Sequence, residues 1–138
     1  MADVIVVFPN KDNAINIRNI LTRGGCEVIG VCTTGAQVLH YTELLDEGIV
    51  VCGYKLADML YTELREYLPK EFEMLLVASP EKWQGDNMEG VVGLNMPIKV
   101  YDLLNTMNMM LQAMDRRRRK RKKERPQRDP KQQKLIKD

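Results

Sequence analysis

Five short apolar runs, each followed by a turn and then, with one weak exception, a helical pattern, constrain this chain more than any other feature. Val4-Ile5-Val6-Val7-Phe8 is a continuous, largely β-branched run. Such a run reads as a strand buried on both faces, the mark of a parallel sheet. Pro9-Asn10 ends it, and Asn10 or Asp12 can cap the following helix. Ile15, Ile20 and Leu21 supply that helix's stripe, and Gly24-Gly25 stops it. The second strand is expected over Glu27 to Cys32, and the second helix after Thr34-Gly35, with Val38, Leu39, Leu44 and Leu45. Gly48 breaks the chain before Ile49-Val50-Val51-Cys52, the third strand, which Gly53 closes. Asp58 is placed to cap a third helix through Leu60, Leu64 and Leu68. Met74 to Ala78 is the fourth strand and Val91 to Leu94 the fifth. Pro80, Gly85 and Gly90 between them leave room only for a short or irregular helix. Pro97 precedes a long helical pattern.

Strands alternating with crossovers of this length imply a parallel sheet with helices on both faces. Five strands in about 95 residues predict an α/β three-layer sandwich of the flavodoxin-like (CheY-like) kind, strand order 2-1-3-4-5, with an extended carboxyl-terminal helix. Functional groups then belong at the carboxyl ends of the strands: Phe8-Pro9-Asn10, Cys32-Thr33-Thr34, Cys52-Gly53-Tyr54, Ala78-Ser79 and Asn95-Met96.

That rim is chemically poor. No carboxylate stands at the end of the first or third strand, so no converging oxygen set for a hard cation is expected. Cys26, Cys32 and Cys52 form no CxxC pair and read as reduced, buried thiols. His40, the single histidine, has no second ligand type near it. Neither a nucleophile–base arrangement nor a GxxxxGK[ST] loop occurs. The expectation is a protein that is not an enzyme and holds neither metal nor cofactor.

The pattern over about residues 3–112 resembles the receiver domain of bacterial two-component response regulators. Receivers carry an acidic pair after strand one, a phosphate-accepting aspartate closing strand three, a Ser/Thr after strand four and a Lys-Pro after strand five. Here Phe8-Pro9 falls at the acidic pair, Gly53 at the acceptor, and Met96 at the lysine, while Ser79 and Pro97 are kept. Leu56-Ala57-Asp58-Met59 is similar to the Met-Pro-Asp-Met turn common in receivers. The resemblance therefore implies a pseudo-receiver: the frame without the groups that form an acyl phosphate or hold magnesium. Its degenerate pocket comprises Phe8, Pro9, Asn10, Gly53, Ser79 and Met96. Phe8 and Met96 should make it apolar. Packing shut is the expected state, with a small apolar or protein ligand as the other reading.

From Pro97 no proline or glycine occurs until Pro126, room for a helix of about 28 residues and roughly 40 Å. Val100, Leu104, Met107, Leu111 and Met114 recur at heptad spacing, an a/d seam that predicts a homodimer. Leu103 and Met110 are left to cover the sheet. The domain is expected to span 1–112, and 113–138 to be a basic extension. Charge divides near there: residues 1–110 hold eight Lys/Arg and fifteen Asp/Glu, net −7, and residues 111–138 hold thirteen and four, net +9. Arg116, Arg117, Arg118, Arg119, Lys120, Arg121, Lys122 and Lys123 are consecutive. Such a run repels itself unless something anionic meets it. A solvated linker and nucleic acid are the two main readings, the latter salt-dependent and without base-reading aromatics. A membrane partner is disfavoured: no lipidation motif is present and no apolar run is long enough to span. The N-terminus lacks the features of a secretory signal, which predicts a cytoplasmic protein.

Glu124 to Pro130 has linker composition, and Lys131 to Asp138 opens a helical pattern in which nothing follows Leu135-Ile136. The expectation is a truncated chain or an effector element never built. A receiver-like unit, a long basic helix and an Arg/Pro linker together resemble ANTAR-type transcription antitermination regulators, whose effector is a small RNA-binding domain. The resemblance implies a non-phosphorylated module that dimerises through its last helix and positions an RNA-binding effector. The alternative is a stand-alone protein-interaction module with a solvated basic tail.

Overall fold

The computed structural model describes residues 2–124, with side chains through Arg121. The linker and the Lys131–Asp138 segment lie outside the described residues, as do the side chains of Lys122 and Lys123. Five strands, β1 (Asp3–Val7), β2 (Val28–Cys32), β3 (Gly48–Gly53), β4 (Phe72–Ala78) and β5 (Val91–Asn95), form one sheet in the order β2-β1-β3-β4-β5. All pairings are parallel. Four helices connect or follow them: α1 (Lys11–Arg23), α2 (Gly35–Thr42), α3 (Tyr61–Tyr67) and α4 (Val100–Glu124). This is the CheY-like flavodoxin fold with its carboxyl-terminal helix extended.

Strand periodicity sorts the core into two halves. Val4, Val6, Ile49, Val51, Leu75 and Val77 face one side, where they meet Ala14, Ile17 and Leu21 of α1 and Leu103, Met107, Met110 and Met114 of α4. Ile5, Val7, Val50, Cys52, Met74 and Leu76 face the other, against Val38 of α2 and Tyr61 and Leu64 of α3. The central strand β3 is buried throughout, which is why its sequence has no alternation to read.

Four local expectations need correction. The α1 stripe is Ala14-Ile17-Leu21, and Ile15 and Ile20 are only partly buried. Helix α2 ends at Thr42, so Leu44 and Leu45 lie beyond it, and Leu44 is 77% exposed. Asp58 does not cap α3, whose N-cap is Leu60; Glu63 instead accepts the Leu60 N–H at 3.3 Å. Asp58 reaches across to the amino end of α2, accepting the Gly35 and Ala36 N–H groups at 2.7 and 3.1 Å. A carboxylate there meets free backbone donors and the positive end of the helix dipole. Finally, β2 begins at Val28 and not at Glu27; α4 runs unbroken to Glu124, and its Met114 is 2% exposed.

Between β4 and β5, where Pro80, Gly85 and Gly90 left room for a short or irregular helix, none forms. Trp83 covers that part of the sheet. A Cβ built on Gly93 would lie 2.2 Å from the indole ring, so only glycine in β5 admits the ring so close. Arg65, 9% exposed, clamps the same edge from below. Its guanidinium donates to the carbonyls of Phe72 at 2.5 Å, Pro69 at 3.0 Å and Gly90 at 3.2 Å. Burial pulls its pKa down, and the nearby Glu73 carboxylate works against that fall.

Candidate functional site

The rim at the carboxyl ends of the strands comes together as the sequence implies. Val7 of β1 pairs with Cys52 of β3, Gly53 of β3 with Val77 of β4, and Ala78 of β4 with Asn95 of β5. Phe8, Gly53, Ser79 and Met96 therefore stand at neighbouring strand ends, and the Met96 N–H donates to the Ala78 carbonyl at 2.9 Å. Phe8 is 7% exposed. A Cβ on Gly53 would stand 3.1 Å from Phe8 Cδ1 and 3.5 Å from Pro9 Cδ. The aromatic ring and the edge of the proline thus lie beside the bare glycine that closes β3.

Met96 does not share in that packing as expected: it is 46% exposed, while Phe8 is buried beside Gly53 with Pro9, itself exposed, at its edge. Asn10 is spent on the fold, accepting the Asn13 N–H at 3.1 Å as the cap of α1. Ser79 is partly buried, and its carbonyl accepts the Lys82 and Trp83 N–H groups. The Met96-Pro97 peptide is cis. Among the described residues, no three His, Cys, Asp or Glu side chains converge as a metal site.

The three thiols are all buried. Burial pushes the Cys32 thiol up to about 11, raises Cys26, and raises Cys52 further still. Cys32 and Cys52 flank Val7 on either side of β1, which sets them roughly 9–10 Å apart by strand spacing, beyond disulfide reach. At pH 8 Cys32 should hold about a hundredfold less thiolate than a free cysteine. An aromatic disulfide reagent should therefore label the native protein slowly and titrate three thiols at once in denaturant. Rapid stoichiometric labelling of the native protein would contradict this burial.

The predicted dimer seam divides. Met107 and Met114 turn into the core with Leu103 and Met110, at 0–7% exposure, while Val100 is 52% exposed. Successive helical residues turn by about 100°, which puts those four buried side chains within an arc of about 60° and Val100, Leu104 and Leu111 on its flank. Leu104 and Leu111 pack at the margin of the same core. Heptad spacing alone could not choose between two adjacent stripes that share Met107 and Met114.

The basic run meets its anion within the chain. Arg118 binds Glu47 at 3.1 Å and Asp115 at 2.5 Å, and Arg121 binds Glu47 at 3.3 Å. Arg117 binds Glu73 at 2.6 Å, and Arg119 binds Asp115 at 2.8 Å. The Arg118 hydrogen bond holds the Asp115 carboxyl below its ordinary range. Glu47 and Glu73 lie at the amino end of the sheet, opposite the rim, beside the Gly48–Phe72 rung of β3 and β4. A cavity of about 870 Å3 opens there, lined among others by Asp3, Leu44, Glu47, Arg118 and Arg121. Pairs with arginines this exposed add little stability and orient the helix more than they hold it. Nothing local in the sequence marks Glu47 or Glu73 as partners; the only signal is the net −7 of the first 110 residues.

No protein-family model matches this chain, and no curated protein does. Solved structures do. A CheY-like receiver domain from Methanospirillum hungatei JF-1 matches with TM-score 0.69 at 17% identity, over 83% of this chain and 98% of that one. The response regulator StyR matches with TM-score 0.73 at 21% identity, over 89% and 65%. A member of a novel family of redox sensors in the streptococci, evolved from two-component response regulators, matches with TM-score 0.71 at 15% identity, over 83% and 53%. The class these likenesses define is a fold: the chain has the CheY-like receiver architecture. Among the described residues, no helix is long and apolar enough to cross a membrane.

Proposed function

We propose that this chain is a receiver-like regulatory module that works without phosphoryl transfer and delivers its output through α4 to a nucleic acid. Phe8 packed beside Gly53 supports the first half, since the rim has no acceptor and a side chain at residue 53 would crowd the Phe8 ring. The observation that carries the second half is the continuity of α4. One helix walls the core from Leu103 to Met114 and continues without a break into the cations from Arg116. Whatever phosphate meets those cations is thereby coupled to the domain. An RNA-binding effector of the ANTAR type and a second copy docked along Val100, Leu104 and Leu111 belong to this reading.

The test is fluorescence anisotropy with an RNA hairpin and a DNA duplex over a salt series. Binding should fall linearly in log–log form, by about 0.7–0.9 per phosphate neutralised. It should vanish when Arg116 to Lys123 are replaced by glutamine. Salt-independent binding, or binding kept by the glutamine variant, would overturn the reading. A second reading, a protein-interaction module, is favoured by the ion pairs that already occupy Arg117, Arg118 and Arg121. Failure of the native chain to bind either nucleic acid at low salt would put it first.

A further inference from the structure

We propose that Glu47 and Glu73 act as an internal competitor for phosphate, holding one face of the basic run against the domain and leaving the opposite face to make first contact. This rests on the nucleic-acid reading of the run. At about 100° per residue, Arg117, Arg118 and Arg121 fall on one side of α4, and Arg116, Arg119 and Lys120 on the other. The ion pairs follow that division. The first three pair with Glu73 and Glu47, while among the described residues the second set makes no ion pair with either glutamate, and Arg119 pairs with Asp115 on its own helix.

The two glutamates are suited to compete. Their side chains are only 16% and 17% exposed, and they sit beside one rung of adjacent strands, so they do not follow the arginines outward. The arginines are the mobile partners. Arg117, Arg118 and Arg121 are 39–53% exposed and sit at the ends of long side chains that can swing to another anion. Glu47 takes two of them and Glu73 one. A phosphate backbone settling on Arg116, Arg119 and Lys120 offers oxygens of the same chemistry at higher charge density. The inner arginines then exchange from carboxylate to phosphate, and the amino end of the sheet is uncovered. Binding and exposure of the floor cavity are in this way linked.

The experiment compares the full chain with Glu47→Gln, Glu73→Gln and the double variant, against one RNA hairpin over a salt series. Freeing three arginines should tighten binding by about tenfold at low salt and steepen the log–log slope by about 2, at roughly 0.7 per added phosphate contact. Glu47→Gln should account for more of the gain than Glu73→Gln. Glu47→Asp, one methylene shorter with its charge kept, should move affinity in the same direction by less; it tests the contact if the double variant does not fold. Equal or weaker binding by the folded glutamine variants, beside a native chain that binds, would overturn the competitor and leave the nucleic-acid reading standing. Absence of binding by every form would overturn that reading itself, and the competitor with it.

Discussion

Acetyl phosphate with magnesium should leave the intact mass of this protein unchanged, and Gly53→Asp should not restore phosphorylation. The first expectation follows from composition at the rim: Phe8-Pro9, Gly53 and Met96 offer neither acceptor nor magnesium ligand nor a cation to meet the incoming phosphoryl group. The second follows from packing. A side chain at residue 53 would begin 3.1 Å from Phe8 Cδ1 and 3.5 Å from Pro9 Cδ, so its carboxylate would be held beside apolar carbon. A buried, unpartnered polar group costs about 1–3 kcal/mol and a charged one more. Gly53→Asp should therefore lower the urea midpoint by at least that equivalent while the mass still shows no phosphoryl gain. A variant that kept its stability and took up phosphate would mean that Phe8 turns aside and that the rim is latent, not closed.

The second large effect lies in α4. Leu103→Ala and Met107→Ala should each cost about 2–5 kcal/mol, the range for emptying a filled core site. Both side chains are 0% exposed. Met109→Ala, at 62% exposure on the outer face, should stay within about 0.5 kcal/mol. The drop in midpoint caused by Leu103→Ala and by Met107→Ala, measured against the native chain, should be the same at low and high protein concentration. If Met107 served an interface between copies, its drop would change with concentration while that of Leu103→Ala would not. Urea unfolding at two concentrations a hundredfold apart decides between the two.

Which features could be read from the sequence follows from how local their causes are. The strands were legible because each is a short apolar run set off by turn residues, β-branched-rich in all but β4, and order 2-1-3-4-5 followed from alternation and crossover length. Between β4 and β5, Pro80, Gly85 and Gly90 showed that any helix must be short or irregular, but not that none forms. Asp58 was misplaced because a cap is read from the residues that follow it, whereas its carboxylate serves α2, 22 and 23 residues earlier. The sequence leaves Leu103 and Met110 to cover the sheet, and they do so; Met107 and Met114, assigned to the seam, join them in the core, because Leu103/Met110 and Leu104/Leu111 have equal periodicity. Only the sheet beneath selects between them. Glu47 and Glu73 were invisible: Arg118 and Glu47 are 71 positions apart, and no spacing rule reaches that far. At the rim, residue types alone showed what is missing, but that Phe8 packs beside Gly53, and that Met96 does not share in that packing, depended on side-chain direction.

The packing of Trp83 on Gly93 gives the protein a built-in optical probe. Trp83 is the single tryptophan in the chain, so all indole emission comes from one ring lying on one glycine of β5. Its indole Nε1 is buried and has no hydrogen-bond partner among the described residues, an environment unlike that of an indole in water. The ring stands in for a helix over β5 on the face of the sheet shared with α2 and α3, opposite α4. Unlabelled protein therefore reports, through the colour and intensity of that emission, any rearrangement of the one stretch of sheet covered by a side chain instead of a helix.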